Sequence, residues 1–172
     1  GAQLLLVLNA SPFHVGKGLE REVQMGQRVQ DCGLPLVYAH LVGGQDEVIF
    51  EGRSFALNAK AEVVARAPAF QECLQTISVQ NNQGPEGLQI SGTEVSASNS
   101  WEEDLWHALV LGIRDYLGKN GFPGAILGLS GGIDSALVLA LAVDALGADN
   151  IHAVMMPSPY TADISWIDSR EM

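Results

Sequence analysis

The sequence predicts an α/β protein made of two unlike parts: a helix followed by closely spaced strands, and then a βαβ unit of a parallel sheet. Three observations carry this expectation. Apolar residues recur at helical spacing between Gly18 and Gly33 and give way, from Leu36 on, to a period near two. Residues 80–100 are poor in large apolar groups and rich in Asn, Gln, Gly, Ser and Glu, which is the composition of a connector. Beyond them come a short apolar run, a glycine-rich turn, an apolar helix and a second apolar run. The expected boundaries are residues 1–80, a linker at 81–99, and residues 100–172.

The first apolar run, 2–8, reads as a buried strand ended by the turn formers Asn9, Ala10, Ser11 and Pro12. Leu19, Val23, Gly26, Val29 and Cys32 then fall on one stripe of a helix. Glu20, Arg21, Gln24 and Arg28 are left for the wet face, and Gly33 is a C-terminal cap. Segments 36–42, 47–50, 54–57 and 62–65 are rich in β-branched or aromatic residues, with turn formers at 43–46, 51–53 and 58–60, and they predict an antiparallel meander on a sheet edge. Adjacent residues of a strand point to opposite faces, so Asp46 and Glu47 read as turn residues rather than an acid pair.

Ser100 and Glu103 form a capping box that opens the next helix, with Leu105, Leu109, Val110, Ile113 and Leu117 as its expected buried stripe and Gly118 or Gly121 as its end. Strand 124–129, helix 134–146 and strand 151–156 make the βαβ unit, whose parallel crossover should be right-handed. The helix is apolar nearly all round, so it should lie between the sheet and further protein. Ser165 and Asp168 repeat the capping pattern and predict a helix opening there. The first residues read as a strand and the last as a helix, so the chain is expected to be a segment of something longer.

Nine Lys plus Arg against twenty Asp plus Glu leave a net charge of -11, which opposes a nucleic-acid partner. The absence of any long apolar run argues against a membrane span, and the absence of a secretory signal places the protein in the cytoplasm as an expectation. Cys32 and Cys73 lack metal spacing and are expected as reduced, buried thiols, not nucleophiles. His14, His40, His107 and His152 share no spacing, and Trp101, Trp106 and Trp166 sit at helix starts as packing residues.

The sharpest signal is the turn Gly128, Leu129, Ser130, Gly131, Gly132, Ile133, Asp134 and Ser135, between a strand and a helix. Paired glycines let a phosphate approach the backbone, and the two serines add hydroxyls. An acidic protein can still grip an anion this way, because oriented N–H groups at a helix start supply the positive potential. The Walker lysine and the Gly-x-Gly-x-x-Gly pattern are both absent, which disfavours P-loop phosphoryl transfer and a Rossmann dinucleotide site. The plainer alternative is a glycine-rich βα turn in which Asp134 or Ser135 caps the helix.

This loop resembles that of the PP-loop ATP pyrophosphatases, whose Ser-Gly-Gly-x-Asp-Ser turn holds the pyrophosphate end of ATP. The segment from Met156 to Ser165 is similar to that of NAD synthetases within the superfamily. In the first half, Asn9 to Lys17, Val42 to Glu47 and Phe50 to Ser54 look like the later part of a nitrilase-type glutaminase, the domain that precedes the PP-loop domain in glutamine-dependent NAD synthetases. The resemblance implies the C-terminal part of a nitrilase-like α-β-β-α sandwich followed by the first βαβ unit of a Rossmann-like PP-loop (adenine nucleotide alpha hydrolase-like) sheet. It implies a ligase, inactive as this fragment alone, that amidates deamido-NAD to NAD with ATP and Mg2+, taking ammonia from glutamine and releasing AMP and pyrophosphate, in a homo-oligomer. It assigns ATP binding to Gly128–Ser135 and glutamine binding to Ser11 and Lys17. Without it, Ser11 is a turn former and Lys17 a solvated surface residue. No catalytic residue is assigned, since the glutaminase nucleophile is expected upstream, and no metal ligand is assigned. The competing readings are another PP-loop amidotransferase, such as a GMP or asparagine synthetase, and a non-catalytic nucleotide-binding module.

Overall fold

The computed structural model describes residues 1–81 and 87–172, so part of the expected linker lies outside the described residues. The elements run β1 (Leu5–Asn9), α1 (Lys17–Cys32), β2 (Leu36–His40), β3 (Val42–Gln45), β4 (Val48–Glu51), β5 (Phe55–Leu57), β6 (Val63–Arg66), β7 (Ile77–Asn81) and β8 (Leu88–Gly92). They continue as α2 (Trp101–Lys119), β9 (Ala125–Leu129), α3 (Ile133–Leu146), β10 (Ile151–Met155) and α4 (Asp163–Glu171). Two compact units result, residues 1–43 with 47–108 and residues 44–46 with 109–172.

In the first unit a four-stranded mixed sheet has the order β1-β2-β5-β6. β1 and β2 are parallel, with Leu5 opposite Leu36 and Asn9 opposite His40, and α1 is their crossover. β5 and β6 add antiparallel, completing the expected meander. The ribbon β3-β4 interrupts it as a separate two-stranded sheet, and its turn is Asp46-Glu47 alone, because Gly43, Gly44 and Gln45 stay extended. Strand alternation sorts the core. Leu36, Tyr38, Phe55 and Leu57 meet Val29 of α1 on one face, while Ala56, Ala65 and Ile90 gather on the other.

Several expectations change here. β1 is an edge strand whose Leu5 and Val7 pack on the core while Leu6 and Leu8 stay exposed, so only one side of this run is buried. α1 buries Arg21, Met25 and Val29 to differing degrees and leaves Leu19, Val23 and Cys32 exposed. The helix is turned by the Arg21–Glu51 ion pair, which draws a charged residue inward. Within the stretch expected as a linker, β8 pairs antiparallel with β7 and seats Ile90 beside Ala65, because one well-placed apolar residue is enough for a strand that is buried on one face. Both cysteines are exposed rather than buried.

The capping box of α2 forms as expected: Ser100 N–H donates to Glu103 Oε2 at 2.7 Å and Glu103 N–H to Ser100 Oγ at 3.2 Å. Its buried positions are Asp104, Ala108 and Leu111, whereas Leu105 and Leu109 are exposed, because Asp104 turns inward to pair with Arg53.

In the second unit β9 and β10 are parallel, from Ala125 opposite Ile151 to Leu129 opposite Met155, with α3 between them in sequence and packed on both. α3 buries Leu141, Ala142 and Ala145 and leaves Ile133, Leu137 and Val138 exposed. α4 begins at Asp163 without a side-chain cap, so Ser165 is inside the helix. A hydroxyl turn starts it early: Ser158 N–H donates to Thr161 Oγ1 at 2.8 Å and Thr161 N–H to Ser158 O at 3.0 Å. Among the described residues no helix is long and apolar enough to cross a membrane.

Candidate functional site

The second unit places the glycine-rich loop at the carboxyl end of β9, on the N-terminus of α3. Leu129 is the buried last residue of the strand, and Gly128 lies close to Met156. Gly131 has φ 76, and a Cβ there would lie 2.6 Å from Ser165 O, so only glycine fits between the turn and α4. Gly132 is extended at φ -92 and caps α3 without a side chain.

The serine hydroxyls are turned inward. Ser135 Oγ donates to Gly132 O at 2.9 Å and accepts from Ser130 N–H at 3.3 Å, while Ser130 Oγ accepts from Gly132 N–H at 3.3 Å and lies 3.1 Å from Ser135 Oγ. Ser135's hydrogen is committed to Gly132, so Ser130 is the donor between the two hydroxyls. The serines thus brace the loop, and its outward donors are backbone amides. Ala136 N–H takes Gly132 O, and no acceptor among the described residues takes the N–H groups of Gly131, Ile133 or Asp134. Free amides at the start of a helix carry the positive end of its dipole and suit an anion.

The first unit places Ser11 and Lys17 on the connection between the parallel strand β1 and α1, at the carboxyl ends of β1 and β2, where open α/β sheets bind ligands. Lys17 opens α1 behind the left-handed Gly16, and its ammonium sits 3.1 Å from Glu20. An exposed pair of this kind holds weakly, so the ammonium is available to another carboxylate. The loop itself is pinned: Phe13 N–H donates to Ile49 O at 2.7 Å and its ring meets Phe70 edge-on at 5.4 Å.

Sequence reasoning missed the charged residues behind Ser11. Arg21 and Glu51 form a buried ion pair, and Arg21 Nη2 donates to Ser11 O at 3.0 Å. Ser11 N–H donates to His40 Nε2 at 3.3 Å, and His40 Nδ1 lies 3.0 Å from Leu41 O. His40 is buried, stacks at 5.9 Å on Tyr38, and borders an open hollow of about 420 Å³ lined also by Asn9, Ala10 and Leu41. Nearby, Arg53 pairs with Asp104 at 3.3 Å, Asn99 adds a bond to Asp104 at 2.9 Å, and the Arg53 stem lies over Gly18. The available signal was the isolated Glu51-Gly52-Arg53 turn, where Gly52 and Arg53 both take positive φ.

Burial pushes His40 below the ordinary imidazole range, Arg21 adds to the push, and Glu51 partly opposes it. Below its ordinary pKa of 6.5 the unfolded state binds more protons at this position than the folded one, so stability falls as pH drops from there through the folded pKa. Chemical denaturation of the protein at stepped pH should show this loss, and His40→Gln should flatten that part of the curve. An unchanged slope in the variant would remove His40 as the cause.

Residues 105–172 match the family model described as NAD synthase. The chain is 44% identical over 170 residues to a glutamine-dependent NAD(+) synthetase of Synechocystis, covering 98% of this chain and 30% of that protein. It is 45% identical over 173 residues to the one of Rhodobacter capsulatus, covering 100% of this chain and 31% of that protein. A solved structure of glutamine-dependent NAD+ synthetase from Acinetobacter baumannii, in complex with adenosine diphosphate, superposes with a TM-score of 0.89 at 42% identity over 98% of this chain and 31% of that one. The α/β fold with its mixed and parallel sheets is thus that of known NAD synthetase structures. The chain spans about 30% of the length of the glutamine-dependent NAD(+) synthetases it matches and is similar to one segment of them.

Proposed function

We propose that the full-length protein carrying this sequence is a glutamine-hydrolysing NAD synthetase. Residues 1–80 would be the C-terminal part of its nitrilase-like glutaminase, which β8 carries on into the expected linker at 81–99, and 100–172 the first βαβ unit of its PP-loop domain. The observation that carries the reading is the set of unused amides at Gly131, Ile133 and Asp134, at the end of a parallel strand and inside the segment that matches NAD synthase. ATP enters as its Mg2+ complex, with its pyrophosphate end on Gly128–Ser135. The carboxylate of deamido-NAD attacks the α-phosphorus, the bond to pyrophosphate breaks, and ammonia from glutamine then displaces AMP to give the amide of NAD. Oriented N–H groups in a braced loop stabilise the charge that grows on the leaving pyrophosphate, at no cost of reorganisation during the step.

On the glutaminase side, Ser11 offers a hydroxyl and Lys17 a cation to the polar ends of free glutamine. The ADP in the Acinetobacter baumannii structure supports a nucleotide as ligand of this family. The test is AMP release by the full-length protein. It is expected to depend on deamido-NAD, and release driven by XMP or aspartate instead would transfer the chain to another PP-loop amidotransferase. Nucleotide binding with no pyrophosphate release under any of these conditions would leave only a binding module.

A further inference from the structure

Ser11 is gripped through its backbone on both sides, a circumstance that a turn former alone does not require. Its carbonyl accepts from Arg21 Nη2 at 3.0 Å, and its N–H donates to His40 Nε2 at 3.3 Å. Arg21 is itself fixed by buried Glu51, which ends the neighbouring ribbon, and His40 ends β2. Three separate elements therefore converge on one residue. The Ser11 hydroxyl, by contrast, has no partner among the described residues. The backbone on both sides of Ser11 is held while the functional group is left open.

We propose that His40 is a positioning residue for the glutamine amide donor: as a neutral imidazole it accepts the Ser11 N–H and so aims the Ser11 hydroxyl at the substrate. The proposal rests on the reading of Ser11 as a glutamine contact. The tautomer follows from the partners. Leu41 O, 3.0 Å from Nδ1, can only accept, so the ring hydrogen belongs on Nδ1, and the lone pair of Nε2 is left for the Ser11 N–H. Protonation would put a second donor against that N–H and release the grip. The charged and titratable groups around the ring are Arg21 from α1, Glu51 from β4 and Tyr38 of its own strand, and Arg53, Glu72 and Cys73 line a hollow together with it. The nearby cation opposes protonation, which keeps the acceptor intact at neutral pH.

The experiment compares glutamine-driven with ammonia-driven NAD formation in the full-length protein, so that the synthetase half serves as internal reference. His40→Phe, which lacks an acceptor, is expected to raise the KM for glutamine about tenfold, as loss of one orienting hydrogen bond would. His40→Gln, whose amide oxygen can accept, is expected to stay within about threefold of the parent. In the parent the glutamine KM should also rise, but only once the pH has fallen under the ordinary imidazole range to the lowered pKa of the buried His40, and in His40→Gln that rise should be absent. Ser11→Ala separates the two levels of the claim. If it raises the glutamine KM while His40→Phe and the pH series do not, the His40 proposal is overturned and the Ser11 reading stands. If Ser11→Ala leaves the KM unchanged, both fall. Should His40→Phe fail to fold, the pH series of the parent against His40→Gln decides.

Discussion

Gly131→Ala is expected to lower ATP-dependent NAD formation by the full-length protein about a hundredfold or more, while glutamine hydrolysis stays within about twofold of the parent. The residue sits at φ 76, where a side chain costs about 1–2 kcal/mol by itself. The added Cβ would also lie 2.6 Å from Ser165 O and 2.8 Å from Ser165 Cα, and both atoms belong to the backbone of α4 rather than to a flexible side chain. The loop must therefore move away from α4, and its free amides move with it. Loss of one pre-aimed donor in a charge-stabilising site is worth about 3–4 kcal/mol, and each 1.36 kcal/mol is a factor of about ten in rate. Gly118→Ala is the control, because it lies outside the loop, nothing comes within 4 Å of its added Cβ and its φ is ordinary. Near-parental NAD formation by Gly131→Ala would mean that this loop does not grip ATP.

The placement of the loop was legible because its signal is local: glycines and serines in a fixed order between two apolar runs mark a tight turn from a strand into a helix. The sequence did not rank its glycines, since the atoms that single out Gly131 come from Ser165 on a different helix. Nor did it show that Ser130 and Ser135 spend their hydroxyls on the loop itself. The capping box of α2 and the Gly33 cap were legible for the same local reason. Helix faces were not. Hydrophobic spacing sends Arg21 and Asp104 to water, yet each is buried by a partner far along the chain, Glu51 and Arg53 respectively. A charged residue goes inside only when a distant opposite charge meets it, and periodicity holds no record of that partner. His40 escaped notice similarly, because a lone histidine in a strand acquires meaning only through the peptide that crosses its ring nitrogen.

Arg21→Met should destabilise the protein by about 3–5 kcal/mol, read as a fall in the midpoint of denaturant unfolding, because it leaves the Glu51 carboxylate buried without its counter-charge. Glu51 is 1% exposed, so water cannot compensate. Restoring balance with a second change, Glu51→Leu, should recover most of that loss, since a buried ion pair is often no more stabilising than a well-packed apolar pair of similar volume. The pair is imperfectly satisfied as it stands: Arg21 Nε and Glu51 Oε2 are buried without a hydrogen-bond partner. Stability alone is therefore a poor reason for its presence. The guanidinium fork has another use, because its Nη2 reaches the carbonyl of Ser11. The double variant should separate these two uses, unfolding near the parent's midpoint yet still showing a raised glutamine KM, with ammonia-driven synthesis as the reference. A double variant that regains both stability and glutamine use would reduce the Arg21–Glu51 pair to packing, and the grip on Ser11 would then rest on His40 alone.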